Sequence, residues 1–297
     1  MKIIDAHIHF SKIYSFKETA EKISFVNYTG SGLENEFEEA GITLAIGMGV
    51  TEKEAWGFPD QASPNPMGLD LEYKAPDIVA CCVGINPVKL EANTGKELDN
   101  IEMELLRPDV VGIKIYAGYY PYCVYDKVYE PVYKLSEKYN LAVVIHGGAT
   151  YSDRALLKYS HPLAVDELAV NHRNINFVIA HLGDPWVMDT AAIVAKNPNV
   201  YADLSGLIVA DGPQIQSQSK NRLAMDHIMQ ALIYAGNYKK FLFGSDWPLA
   251  PVKPYIEYVK DLVPEEFHED VFLKNAINVF PKLEQFLWMI YNSQKQI

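Results

Sequence analysis

Eight short apolar runs, each followed by a stretch of helical character, limit what this chain can fold into more than any other feature. In order they span residues 2–10 (KIIDAHIHF), 42–50, 78–87, 110–119 (VVGIKIYAGY), 141–148 (LAVVIHGG), 176–183 (NFVIAHLG), 199–206 (NVYADLSG) and 241–249 (FLFGSDWPL). They are rich in β-branched residues and nearly continuous in hydrophobicity, the pattern of parallel strands covered on both faces. The intervening segments read as helices. Residues 125–140 offer Asp126 as an N-cap, with Val128, Val132 and Leu135 on one stripe, and residues 160–174 offer Ser160 as a cap with Pro162 in the first turn. Eight β–α units in 297 residues predict a (β/α)8 TIM barrel of the α/β class, one domain over 1–297. The competitor is an open doubly wound sheet, which would usually carry a Gly-rich phosphate turn after the first strand. Phe10, Ser11 and Lys12 stand there instead.

Two connections are long, 51–77 and 207–225. Both follow strands, so in a barrel both lie over the catalytic face, as a partial lid or an oligomer contact. The last fifteen residues read as a terminal helix with one apolar face. A formal net charge of -12 argues against nucleic acid or an anionic membrane surface as the main partner. No run reaches the length of a membrane span, and no apolar leader precedes the first strand, which predicts a cytoplasmic protein. Cys81 and Cys82, neighbours in a strand, should point to opposite faces and, with Cys123, read as reduced core thiols.

The strands are interrupted by polar residues, and the interruptions gather near the C-terminal ends. They are His7 and His9 on the first, Lys114 on the fourth, His146 on the fifth, His181 on the sixth, Asp203 and Ser205 on the seventh and Asp246 on the eighth. In a barrel those ends converge on one mouth. His7 and His9, two apart, share a face, with Asp5 below them. One buried histidine at a strand end is ordinarily a satisfied structural group. Four, with an aspartate, would each need a partner, and one shared divalent cation satisfies them all.

HIH, IHGG, AHLG and FGSDWP, in this order, resemble the amidohydrolase superfamily. The "amidohydrolase 2" branch is nearest; it contains metal-dependent hydrolases, lactonases of ring carboxylates and non-hydrolytic decarboxylases. The resemblance runs from residue 1 to about 281. It implies that His7, His9, His146 and Asp246 are metal ligands, and that Asp246 and His181 are catalytic: Asp246 as general base, His181 to polarise a carbonyl or shuttle a proton. The donor set suits one divalent ion, Zn²⁺ first and Mn²⁺ as an alternative. Elsewhere in the superfamily a strand-4 lysine is carbamylated and bridges two metals. The branch resembled here more often has a GxKxH-like motif and one metal, and in this chain Tyr116 stands in place of that histidine. Lys114 is then a carbamate bridge, a ligand for a substrate carboxylate, or a structural partner of Asp203.

Substrate contacts are expected from Lys114, Tyr116, Arg154, Trp186 and Trp247, with Tyr119, Tyr120 and Tyr122 clustered after the fourth strand. Packing at the top of the barrel accounts for the aromatic residues equally well. His161, His172, His227 and His268 read as cap or surface residues, and Asn275 as a helix hydrogen-bonding residue. The expected function is hydrolysis of an amide, ester or lactone of a small, cyclic or carboxylated molecule. The alternatives are metal-dependent decarboxylation of an aromatic or enoic acid, and a non-catalytic metal-binding barrel. The decarboxylases resembled usually add an acid on strand 1 or a basic clamp near the metal, and Phe10 and Ser11 supply no such acid. A homo-oligomer fits the long loops.

Overall fold

A computed structural model of the chain describes residues 1–11, 13–49, 76–153 and 155–294. Eight strands form one sheet in sequence order: β1 (Ile3–Ile8), β2 (Ile42–Met48), β3 (Val79–Gly84), β4 (Val110–Ile115), β5 (Ala142–Ile145), β6 (Phe177–Ile179), β7 (Val200–Asp203) and β8 (Phe241–Leu242). Each pairs in parallel with the next. The two ends of the sheet also meet. Ala6 N donates to Phe243 O at 2.9 Å, His9 N to Trp247 O at 2.7 Å and Asp246 N to His7 O at 2.9 Å. The sheet is therefore a nearly closed TIM barrel, not an open one.

Helices cover the connections: α1 (Tyr14–Thr19) and α2 (Gly30–Ala40) after β1, α3 (Pro87–Ala92) and α4 (Thr94–Leu105) after β3, α5 (Glu130–Tyr139) after β4, α6 (Leu157–Ser160) and α7 (Leu163–Asn171) after β5. Next come α8 (Val187–Lys196) after β6, α9 (Gly212–Gln218) and α10 (Arg222–Ala235) after β7, then α11 (Val252–Leu262), α12 (Asn275–Val279) and α13 (Lys282–Gln294). None of the described helices is long and apolar enough to cross a membrane.

Three local expectations are corrected. Asp126 does not cap α5; its Oδ2 accepts from Cys123 N at 2.8 Å and closes a turn upstream, and the helix starts at Glu130. Ser160 ends α6 and donates to Gly148 O at 2.6 Å, so α7 begins after Pro162 without its help. The polar stretch 207–225 is largely helical, because Asp211 accepts from Gln214 N at 2.9 Å and starts α9. The other long connection lies almost wholly outside the described residues.

Two apolar layers hold the barrel. Ile4, Leu44, Ile46, Cys82, Val144, Val178 and Leu242 fill the interior, which Val279, Phe280 and Leu283 of α12 and the α13 region plug at the end opposite the mouth. Ile113, Val143, Ile179 and Phe243 face outward onto the helices, and Cys81 joins them, opposite Cys82 as the alternation requires. In β1 the alternation slips. Ile4 and Ala6 belong to the interior, Ile8 to the outer layer, and the pairing with β2 shifts register between Asp5 and Ile8. This irregularity lets His7 follow Ala6 into the barrel mouth.

Candidate metal centre

His7 and His9 enter the mouth from the irregular end of β1, with ring centroids 5.4 Å apart. Asp246 meets them from four residues beyond β8. His146, His181 and Ser205 likewise stand just past the ends of β5, β6 and β7 rather than on the strands. The backbone explains the difference: His181 has φ 60°, Leu182 φ 50° and Asp246 φ 60°, left-handed conformations that no strand accommodates. Gly206 also turns left-handed, at φ +62°, and a Cβ there would lie 2.6 Å from His181 Nδ1 and 2.7 Å from Asp246 Oδ2. The chain needs glycine at this point to let those two side chains close together.

Asp246 Oδ1 lies 3.1 Å from His9 Nε2 and 3.6 Å from His7 Nε2. It is buried and makes no hydrogen bond. Two imidazole nitrogens and a carboxylate oxygen thus converge with all three atoms within 4.8 Å of one another. A buried carboxylate oxygen without a donor is costly. A divalent cation removes that cost, and mixed N and O donors suit zinc or manganese.

The electrostatics favour the same donor states. Burial, reinforced by Lys114, pushes His7 down to about 3, and burial lowers His9 and drives His146 well below the ordinary range. These rings are neutral and carry lone pairs. Burial raises the Asp246 carboxyl, but its surroundings, His181 first, outweigh this and hold it well below the usual carboxylate range.

Asp203 orients the centre without belonging to it. Its Oδ2 accepts from His7 Nδ1 at 2.8 Å, so the proton sits on Nδ1 and His7 Nε2 presents its lone pair to Asp246 and the mouth. Its Oδ1 accepts from His181 N at 2.9 Å, Ser205 N at 3.1 Å and Ser205 Oγ at 2.5 Å. His7, His181 and Asp203 form a second compact group, but His7 Nδ1 is bonded to Asp203 and His181 Nδ1 lies against the hydroxyl and carbonyl of Ser205. Asp5 is similarly committed: Ser245 N and Oγ donate to it at 2.9 and 2.5 Å, strapping β1 to the β8 loop.

His146 lies farther out. Its Nε2 donates to Ala149 O at 3.0 Å, which leaves Nδ1 free for a ligand, and its ring stands 5.0 Å from that of His181. It is not one of the three donors that converge within 4.8 Å. Lys114 is fully buried, with Nζ 3.4 Å from His7 Nε2 and 5.2 Å from the Tyr116 ring. Among the described residues it forms no ion pair with Asp203, whose two oxygens are taken by His7, His181 and Ser205.

Above the three donors opens a cavity of about 210 Å³. Its wall includes His9, Lys114, His146, His181 and Asp246, with Phe16, Tyr116, Tyr119 and Tyr151 supplying apolar surface. Phe16 stacks on His9 at 4.4 Å. Of the aromatic residues expected at the site, Tyr116 and Tyr119 line the cavity. Trp247 does not: it is fully buried against Tyr28 and Phe37, and its Nε1 donates to Glu36 at 3.0 Å. Trp186 packs on His161, also off the cavity wall. Tyr120 is buried and Tyr122 bonds Glu91. Arg154 lies outside the described residues. Sequence reasoning missed Phe16, Tyr151 and the shared role of Asp203 and Ser205. An Asp-x-Ser at a strand end was the available signal for the last pair.

The family model described as "Amidohydrolase" matches residues 4–282. No functionally curated protein matches the chain. Among solved structures, an amidohydrolase from Burkholderia multivorans with bound HEPES superposes with TM-score 0.62 at 15% identity, over 95% of this chain and 99% of that one. A probable 2-pyrone-4,6-dicarboxylic acid hydrolase from Acinetobacter baumannii with citric acid bound gives 0.59 at 19%, over 95% and 100%. A 2,6-dihydroxybenzoate decarboxylase from Rhizobium gives 0.59 at 13%, over 94% and 98%. At these identities the superpositions establish the shared fold.

Proposed function

The chain belongs to the amidohydrolase-2 family, and from that premise we propose that it is a metal-dependent hydrolase of an amide, ester or lactone in a small molecule. The observation that carries the reading is the convergence of His7, His9 and the Asp246 Oδ1 that lacks a hydrogen bond, with His9 and Asp246 lining the cavity. These three residues would hold one divalent ion, Zn²⁺ by preference and Mn²⁺ as the alternative, and His146 Nδ1 would be a further ligand. When bound, such an ion polarises a carbonyl oxygen and lowers the pKa of water.

The protein's own groups do the rest. Asp246 keeps a second oxygen, Oδ2, that takes a proton as general base. His181 moves a proton at Nε2, the ring nitrogen that Ser205 leaves open. Lys114 sets a positive group beside His7, suited to a substrate carboxylate. Phe16, Tyr116 and Tyr119 exclude water and favour a flat or cyclic body. Decarboxylation of an aromatic acid uses the same groups and is the second reading. It is favoured by the buried ammonium of Lys114 on the cavity wall and by the fold shared with decarboxylases.

The test is elemental analysis of protein purified without added metal, for the wild type and a His7→Asn/His9→Asn variant. One equivalent of metal, lost in the variant, supports the centre. Two equivalents point to a Lys114 carbamate bridge, and no metal in a folded wild type rejects the proposal. Incubation with lactones, esters, amides and aryl carboxylates then separates the chemistries by product: addition of the elements of water for hydrolysis, loss of carbon dioxide for decarboxylation.

A further inference from the structure

Ser205 sits at the base of the loop after β7, fully buried, and touches the two groups that matter most above it. Its Oγ lies 2.5 Å from Asp203 Oδ1 and 3.0 Å from His181 Nδ1. One hydroxyl proton cannot serve both. If it pointed to His181, two electron-rich oxygens of Ser205 and Asp203 would face each other at 2.5 Å with nothing between them. The proton therefore lies toward Asp203, an acceptor that also takes the backbone amides of His181 and Ser205 at 2.9 and 3.1 Å. The lone pair of Ser205 Oγ then faces His181 Nδ1. The Ser205 carbonyl oxygen, 3.2 Å from the same nitrogen, can only accept as well. Two acceptors on Nδ1 require a proton there.

We propose that Ser205, braced by Asp203, is a positioning residue that fixes neutral His181 as the Nδ1–H tautomer, with a bare Nε2 toward the cavity. This deepens the hydrolase reading and rests on it for its consequence. His181 enters the reaction as a proton acceptor: Asp246 Oδ2 takes the proton of water as the new C–O bond forms, and the bare Nε2 receives it and passes it to the leaving oxygen or nitrogen as the old bond breaks. The second oxygen of the same Asp203 carboxylate holds His7 Nδ1–H, so one residue favours the Nδ1–H form of both rings.

Imidazole ¹⁵N spectroscopy tests this directly, because protonated and bare ring nitrogens resonate far apart. The measurement uses histidine-labelled full-length protein, metal-free and again with Zn²⁺ alone, with His181→Gln to assign the signals. The expected result is a bare Nε2 on His181 with at least about a tenfold tautomer preference, roughly 1.4 kcal/mol. Ser205→Ala lowers that preference severalfold, and Ser205→Thr, which keeps the hydroxyl, restores it. A protonated Nε2 in neutral wild-type His181 overturns the proposal, and so does an unchanged ratio in Ser205→Ala. If Ser205→Ala fails to fold, the wild-type spectrum still decides. Metal content of the same samples reports separately on the hydrolase reading, so a bare Nε2 in a protein that takes up no metal would reject that reading and leave this one standing.

Discussion

Replacing Asp203 by asparagine keeps the shape of the site and changes one acceptor into a donor. The structure dictates which one. With the new amide nitrogen at the Oδ1 position, the substituted side chain would confront three donors, the amides of His181 and Ser205 and the Ser205 hydroxyl. Three hydrogen bonds of about 0.5–1.5 kcal/mol each would be lost. The cheaper orientation puts the amide nitrogen at the Oδ2 position, 2.8 Å from His7 Nδ1. Two donors then face each other, and His7 is relieved by moving its proton to Nε2, the atom that should hold the metal. Loss of an outer-shell partner of this kind typically costs about 10–100-fold in metal affinity, about 1.4–2.7 kcal/mol. Competition between the protein and a chromogenic chelator for Zn²⁺ measures it, with circular dichroism to verify the fold. A folded Asp203→Asn protein that binds Zn²⁺ as tightly as the wild type would refute the assignment of His7 Nε2 as a ligand oriented by Asp203.

Three further outcomes are expected. Gly206→Ala should cost about 1–2 kcal/mol in left-handed strain and also weaken Zn²⁺ binding, because its Cβ would press on His181 and Asp246. Gly236→Ala, at φ +70° with no atom nearer than 3.9 Å to the new Cβ, should cost the strain alone, and thermal melting beside Zn²⁺ titration of the two separates the effects. Asn275→Ala should destabilise by about 2 kcal/mol in urea denaturation and leave metal content unchanged, since it strands the Tyr238 and Phe241 carbonyls that Asn275 Nδ2 serves at 2.9 and 2.7 Å. Of the three thiols, only partly exposed Cys123 should react with a disulfide reagent in the native state. Burial pushes Cys81 up to about 12 and raises Cys82 well above its ordinary value, so all three should count only after unfolding.

What the sequence made legible was set by periodicity. Continuous β-branched runs mark strands buried on both faces, and each of the eight strands lies inside its expected run. Residue type then singled out His7, His9 and Asp246, because imidazole and carboxylate have no cheap place in an apolar strand. Periodicity does not carry beyond the strand ends. Asp246 reaches the histidines through a loop in left-handed conformation, and β1 turns His7 inward through a register shift, neither of which alternation predicts. Trp247 follows Asp246 directly yet turns outward to Glu36 on α2, a contact made across 211 residues. Asp203 was legible as a polar interruption but not as the shared brace of His7 and His181, since that role depends on which of two oxygens meets which donor.

The backbone supports a reactive mouth independently of residue type. Among the described residues, five that are not glycine hold a positive φ, and three of them, His181, Leu182 and Asp246, belong to this mouth. Each such conformation costs on the order of 1–3 kcal/mol and persists only where the surroundings over-determine it. The surroundings here are the amide of His181 on Asp203, the amide of Asp246 on the His7 carbonyl and the barrel beneath them. A site of merely structural histidines would not need this, because each ring could find a partner from an unstrained loop. The strain instead brings Asp246 to both β1 histidines while His181 stays at the cavity wall, its Nδ1 3.9 Å from Asp246 Oδ2. A relaxed chain would separate Asp246 and the β1 histidines from His181, and holding them together is what the proposed hydrolysis at a metal centre would require.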